Sequence, residues 1–128
     1  MAVFMRFLLA WLFITSLCLG AVYAQEGKEV TVYGTNYCLG CALKKTAGAK
    51  AQCSVYGHVH SLKIDKAVGA DGKVIESLTG KTLHYLQNDQ ASPLIKGEQF
   101  HGAPVEVKGT VFEDSLTVDV DSFGEPKK

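Results

Sequence analysis

Residues 116–121 read Leu116-Thr117-Val118-Asp119-Val120-Asp121, and residues 105–108 read Val105-Glu106-Val107-Lys108. Both stretches alternate apolar and polar side chains with period two, as a strand does when one face is buried and the other is wet. A slip of one residue would carry every valine to the solvent face, so the register of this pair is strongly specified. Glu113-Asp114-Ser115 between them supplies a turn. Working towards the N-terminus, Ser92-Pro93 followed by Leu94-Ile95-Lys96 and Gly97 predicts a short helix, with proline in its favoured first-turn place and glycine at its end. Lys81 to Leu86, with Val74-Ile75 before it, predicts a third strand region. Ser54 to Asp65 predicts a second, bounded by the turn Gly69-Ala70-Asp71-Gly72. Val30-Thr31-Val32-Tyr33 predicts the first, broken or bent at Gly34. Between strands one and two, residues 36–53 carry two glycines and no apolar stripe, and are expected to form a cysteine-rich loop.

The predicted order is strand, strand, strand, short helix, strand, strand. It resembles the OB-fold, and the resemblance implies a mainly β, single small five-stranded, partly open barrel with one short helix between strands 3 and 4. That likeness lies in the order of elements and assigns no activity.

The chain has 128 residues. Its start, Met1 to Arg6, carries one positive charge. An uncharged apolar run from Phe7 to Leu19 and a small-residue exit at Val22-Tyr23-Ala24 follow. This predicts a cleavable secretory signal over residues 1–24 and an exported domain over residues 25–128. The apolar run is short for a membrane span, which needs roughly 20 residues. Arg6 is the single arginine, so residues 25–128 hold 12 lysines against 13 acids. A balance this close to neutral, without arginine, argues against nucleic acid as a partner, because such binding leans on phosphate neutralisation.

Cys18 would leave with the signal, and three cysteines remain: Cys38, Cys41 and Cys53. An exported domain stapled only by disulfides is expected to carry an even number. Cys38-Leu39-Gly40-Cys41 lets two thiolates face one ion, and the loop to Cys53 is long enough to return a third. His58 and His60 lie two apart on the expected second strand, so both rings would leave one face about 7 Å apart. Three thiolates and one imidazole suit tetrahedral zinc, and soft sulfur donors also suit Cu(I). The expected site is therefore Cys38, Cys41 and Cys53 with His58 or His60, holding one Zn or Cu(I) ion.

Two competing readings use the same residues. Cys38 and Cys41 would form a plain or redox-active disulfide in an oxidising compartment. Alternatively, the cysteines serve as staples in a module that binds a small ligand or peptide on its strand face. Haem attachment is not expected, since Ala42 stands where a histidine would follow the cysteine pair. No phosphate loop, H-E-x-x-H or serine triad is present, so neither a nucleotide cofactor nor a catalytic centre is expected. His84 and His101 are isolated in the sequence.

The stretches Tyr37-Cys38-Leu39-Gly40-Cys41-Ala42-Leu43-Lys44-Lys45 and Ala51-Gln52-Cys53-Ser54-Val55-Tyr56-Gly57-His58-Val59-His60, with Leu86-Gln87-Asn88-Asp89 downstream, resemble a group of small exported bacterial proteins. The resemblance implies a periplasmic or secreted location and supplies no mechanism. The partners it leaves open are a metal ion and another exported protein.

Overall fold

The structure is a computed structural model that describes residues 26–128. The expected signal over residues 1–24 lies outside them. Five strands carry the fold: β1 (Lys28–Cys38), β2 (His60–Gly69), β3 (Thr82–Tyr85), β4 (Pro104–Phe112) and β5 (Thr117–Gly124). Three α-helices accompany them: α1 (Leu39–Ala47), α2 (Cys53–Tyr56) and α3 (Ser92–Lys96). Short 3-10 turns occupy Glu76–Leu78 and Glu98–Phe100.

Each strand hydrogen-bonds to two others, in the order β1-β2-β3-β5-β4, and the sheet closes on itself. β3 runs parallel to β5 through two residue pairs, His84 with Thr117 and Tyr85 with Val118, whereas the other pairings are antiparallel. The expectation of an OB-like, partly open barrel with one short helix is therefore corrected. The sheet is mixed and closed, and three helices interrupt the strands. One of them, α1, lies in the stretch expected to be loop, and another, α2, takes up the start of the expected second strand.

Strand boundaries differ from expectation for local reasons. β1 does not stop at Gly34 but bulges between Tyr33 and Gly34 and continues to Cys38. A Cβ at Gly34 would sit 2.0 Å from the Lys63 carbonyl oxygen, so only glycine lets the two strands approach there. β2 begins at His60 rather than Ser54, because Cys53 to Tyr56 coil into a helical turn that ends at Gly57, φ 86°. Val74 makes only an isolated bridge to Val68, and the third strand is confined to Thr82–Tyr85. The expected helix at Ser92–Lys96 forms, although Ala91, not Ser92, stands at its N-cap. Asn88 ties this turn down, its Oδ1 accepting from the Ala91 N–H at 2.7 Å.

The inward faces of the strands supply Val32, Leu62, Ile64, Leu83, Val107 and Val118, all buried, and Leu94 and Ile95 of α3 pack against them. At full burial each such side chain contributes about 1.5–3 kcal/mol relative to exposure. A polar residue, Asn36, sits wholly inside this core. Asn36 on β1 donates through Nδ2 to the carbonyls of Leu94 (2.8 Å) and Phe100 (3.2 Å), and its Oδ1 accepts from the Tyr85 hydroxyl at 2.7 Å. Asn36 thereby fixes α3 and the 3-10 turn after it to the end of the sheet where β1 finishes. Burial pushes the Tyr85 phenol above its ordinary value, so it stays a donor in this network.

Candidate metal centre

The site is assembled where β1 ends and β2 begins. Cys38 is the last residue of β1 and pairs in register with His60, the first of β2. The same residue caps the N-terminus of α1: its Sγ accepts from the Cys41 backbone N–H at 3.5 Å. A sulfur at this position faces the unpaired N–H groups and the positive end of a helix, which favours a thiolate. Cys41 lies one turn along α1. The helix ends at Gly48 in the left-handed region, φ 66°, and the chain returns so that Cys53 opens α2. Gly40 has a spatial role beyond flexibility. A Cβ there would meet the Sγ of Cys53 at 3.1 Å and that of Cys38 at 3.9 Å, filling the space the sulfurs share. Gly57 then turns the chain and presents His58 to the cysteines.

Cys38 Sγ and Cys53 Sγ lie 3.5 Å apart, and Cys41 Sγ lies 3.3 Å from His58 Nδ1. One donor atom from each of Cys38, Cys41, Cys53 and His58 falls within 4.8 Å of every other. Donors placed tetrahedrally at zinc bond lengths are about 3.5–3.8 Å apart. The four groups thus need to move by only a fraction of an ångström to about one ångström to enclose an ion. Cys38 is buried, the other three are half-buried, and all three cysteines are free thiols.

The electrostatics match a ligand set waiting for a cation. Burial works against ionising Cys38. Hydrogen bonds from the Cys41 backbone and from His58, Cys41 and Cys53 outweigh it and bring the thiol down to about 6. The hydrogen bonds Cys41 makes with Cys38 and Cys53, helped by burial and by their charge, push its thiol up to about 12. The Cys38 sulfur chiefly, with lesser help from Glu98, raises His58 above the usual imidazole value. One thiolate, at Cys38, thus opposes ionisation of Cys41 beside it, and a cation placed between them relieves that opposition.

His58 and His60 do not both reach the sulfurs. His58 stands before β2, outside the strand, and is the imidazole of the cluster. His60 is buried with both nitrogens engaged, Nδ1 against the Leu94 carbonyl at 2.9 Å and Nε2 against His101 Nδ1 at 3.0 Å. The two rings nevertheless stack 7° from parallel, with centroids 6.5 Å apart. His101, isolated in the sequence, comes edge-on to His58 at 4.8 Å and lies 5.2 Å from His60. No spacing could have revealed it, because the 3-10 turn at Glu98–Phe100 delivers it from forty residues away in the chain. His84 is exposed on β3, where Nδ1 meets Ser61 Oγ at 3.3 Å, and takes no part in the site.

Comparison with protein families, with curated proteins and with solved structures finds no match. The reading of the site therefore rests on its own chemistry. That chemistry is a compact set of three sulfurs and one imidazole able to hold a soft or borderline metal ion. Among the described residues no helix is long and apolar enough to cross a membrane.

Proposed function

We propose that this chain is a metal-binding protein in which Cys38, Cys41, Cys53 and His58 coordinate one zinc ion, with Cu(I) as the competing soft cation. The observation that carries the reading is the convergence of four donor atoms within 4.8 Å from three separate pieces of chain: the β1–α1 junction, the start of α2 and the turn at Gly57. Four protein donors fill a tetrahedron and leave no open position, which is the pattern of a structural zinc site. The ion's role is to pin α1 and α2 to the end of the sheet. If Cu(I) is the resident ion, the same sulfurs sequester or deliver it. Export to the periplasm or the medium is part of this proposal and rests on residues 1–24 alone.

Elemental analysis of the purified chain tests the reading. One zinc or copper per chain, with three thiols protected until a chelator is added, is the expected result. Cys53→Ser and His58→Ala should each weaken retention, and His60→Ala should leave the stoichiometry intact. Unchanged affinity in Cys53→Ser would remove Cys53 as a ligand. Absence of bound metal under both reducing and metal-replete conditions would end the proposal.

A second reading, thiol–disulfide exchange, draws on Cys38, whose thiol lies at a helix N-terminus with its value brought down to about 6. A reactive thiol count of one in metal-replete protein as isolated would favour it over metal binding.

A further inference from the structure

The hydrogen bonds around His60 determine more than its own placement. Leu94 offers a carbonyl oxygen, which only accepts, and it takes bonds from both Asn36 Nδ2 (2.8 Å) and His60 Nδ1 (2.9 Å). His60 Nδ1 therefore carries a hydrogen, and in the imidazole form of the ring Nε2 holds the lone pair. His101 Nδ1, 3.0 Å from that lone pair, must then be a donor. The consequence reaches the surface. That bond engages His101 Nδ1 and leaves Nε2 as the nitrogen that none of these bonds occupies.

His60 and Asn36 are 2 % and 0 % exposed, so this orientation is set from within the core, while His101 itself is exposed. Its ring stands edge-on to His58, 4.8 Å between centroids, yet it is not one of the four donors that converge. The molecule thus places a fifth possible donor, the second imidazole nitrogen available to an ion, on a ring oriented by a buried chain and packed against His58 of the converged set of four. The difference in chemistry between the two layers matters. A neutral imidazole takes a metal without losing a proton, whereas thiols must release theirs as the ion enters.

We propose that His101 is a transit ligand: its Nε2 takes up an incoming zinc-class ion, passes it inward to the Cys38, Cys41, Cys53 and His58 set, and receives it again on release. This rests on the metal-binding reading above. A transit ligand lowers the barrier in both directions and leaves the end states alone. It therefore changes uptake and release rates by one common factor and not the equilibrium affinity.

Stopped-flow mixing of metal-stripped full chain with zinc, and of the zinc form with a fluorescent chelator, measures both rates. His101→Gln keeps an N–H donor for His60 but has no imidazole. It is expected to slow uptake and release alike by about tenfold, the effect of about 1.4 kcal/mol on one shared barrier. Its affinity, from chelator competition, should match that of the parent chain, and millimolar-range free imidazole should restore the rates. Rates unchanged in His101→Gln would overturn the transit role alone, with the ion then entering through the cleft between Cys53, Tyr56 and Val59. Weaker affinity with faster release would also overturn it, since His101 would then be a resident or positioning group. A parent chain that takes up no zinc would overturn the metal reading and the transit role together. Superimposable circular dichroism qualifies each variant, and His101→Ala replaces the glutamine variant if that one fails to fold.

Discussion

Removing the ion should loosen one segment and spare the rest. α1 and α2 bury no residue, and no side chain between residues 39 and 59 belongs to the core cluster. No buried apolar side chain holds these twenty-one residues against the sheet. α1 has nine residues, fewer than the ~12–15 an isolated helix needs to persist in water. Eleven residues separate Cys41 from Cys53, and closing a flexible loop of that length costs about 2 kcal/mol beyond a fixed term. Hydrogen bonds among the thiols offset only part of this, at about 1 kcal/mol each. A coordinated ion contributes far more, about 10–16 kcal/mol in small zinc-dependent domains. An ion contributing no more than about 2 kcal/mol would, on removal, cut amide protection across Leu39–Ala47 and Cys53–Tyr56 by about 30-fold, at tenfold per 1.4 kcal/mol, so at least that loss is expected. β4 and β5, bonded to each other along their length, should keep theirs. Hydrogen exchange read by mass spectrometry, with and without chelator, resolves both regions in one experiment. Protection of the segment that stays within about threefold on chelation would refute the reasoning, as would equal loss in β4 and β5.

Three further outcomes are expected. Metal-free protein treated with glutathione disulfide should form Cys38–Cys53, two thiols losing two electrons and two protons as the reagent becomes two glutathiones; peptide mapping that finds Cys38–Cys41 instead would contradict the 3.5 Å sulfur contact. Zinc affinity should rise with pH, because the ion displaces the proton that Cys41 holds up to about 12, and the dependence should steepen below about 6, where Cys38 must also be deprotonated. In the metal-free protein Cys38 has the sign of a depressed acid: its contribution to stability is complete above 9.0 and is lost as the pH falls through about 6. Potentiometric titration of uptake checks the first of these slopes, and an affinity independent of pH would contradict both. Finally, Asn36→Ala removes three hydrogen bonds, two of them buried, and strands the Tyr85 hydroxyl, a loss of about 3–5 kcal/mol from a domain stability of about 5–15 kcal/mol. Denaturant unfolding measures it, and a change below about 1 kcal/mol would show that the network is not tight.

The sequence disclosed the parts of this molecule that obey a strict period or a strict spacing. Val105 with Val107, and Val118 with Val120, are buried as their alternation requires. Cys38, Cys41 and Cys53 meet as their spacing allows. Legibility fails where a long-range contact overrides a local signal. Gly34 looked like a strand end and is instead a bulge position where a Cβ would collide with the Lys63 carbonyl of β2. Val55 and Tyr56 are β-prone residues that nevertheless coil in α2, the turn that opens with Cys53. The parity argument that put His58 and His60 on one strand face failed with that boundary, and it left His60 to the core and His58 to the cysteines. Asn36 gave no signal as the centre of a buried network, since its partners are carbonyls fifty-eight and sixty-four positions away.

The register that sets Cys38 opposite His60 has a consequence for how such a centre could be reused. Every donor lies within one uninterrupted run, from Cys38 to His58, spliced between the facing ends of two antiparallel strands. The run is therefore a portable cassette. Its two ends need only a hairpin whose last and first residues sit side by side, and its interior can lengthen or shorten between α1 and α2 without disturbing a single valine of the host.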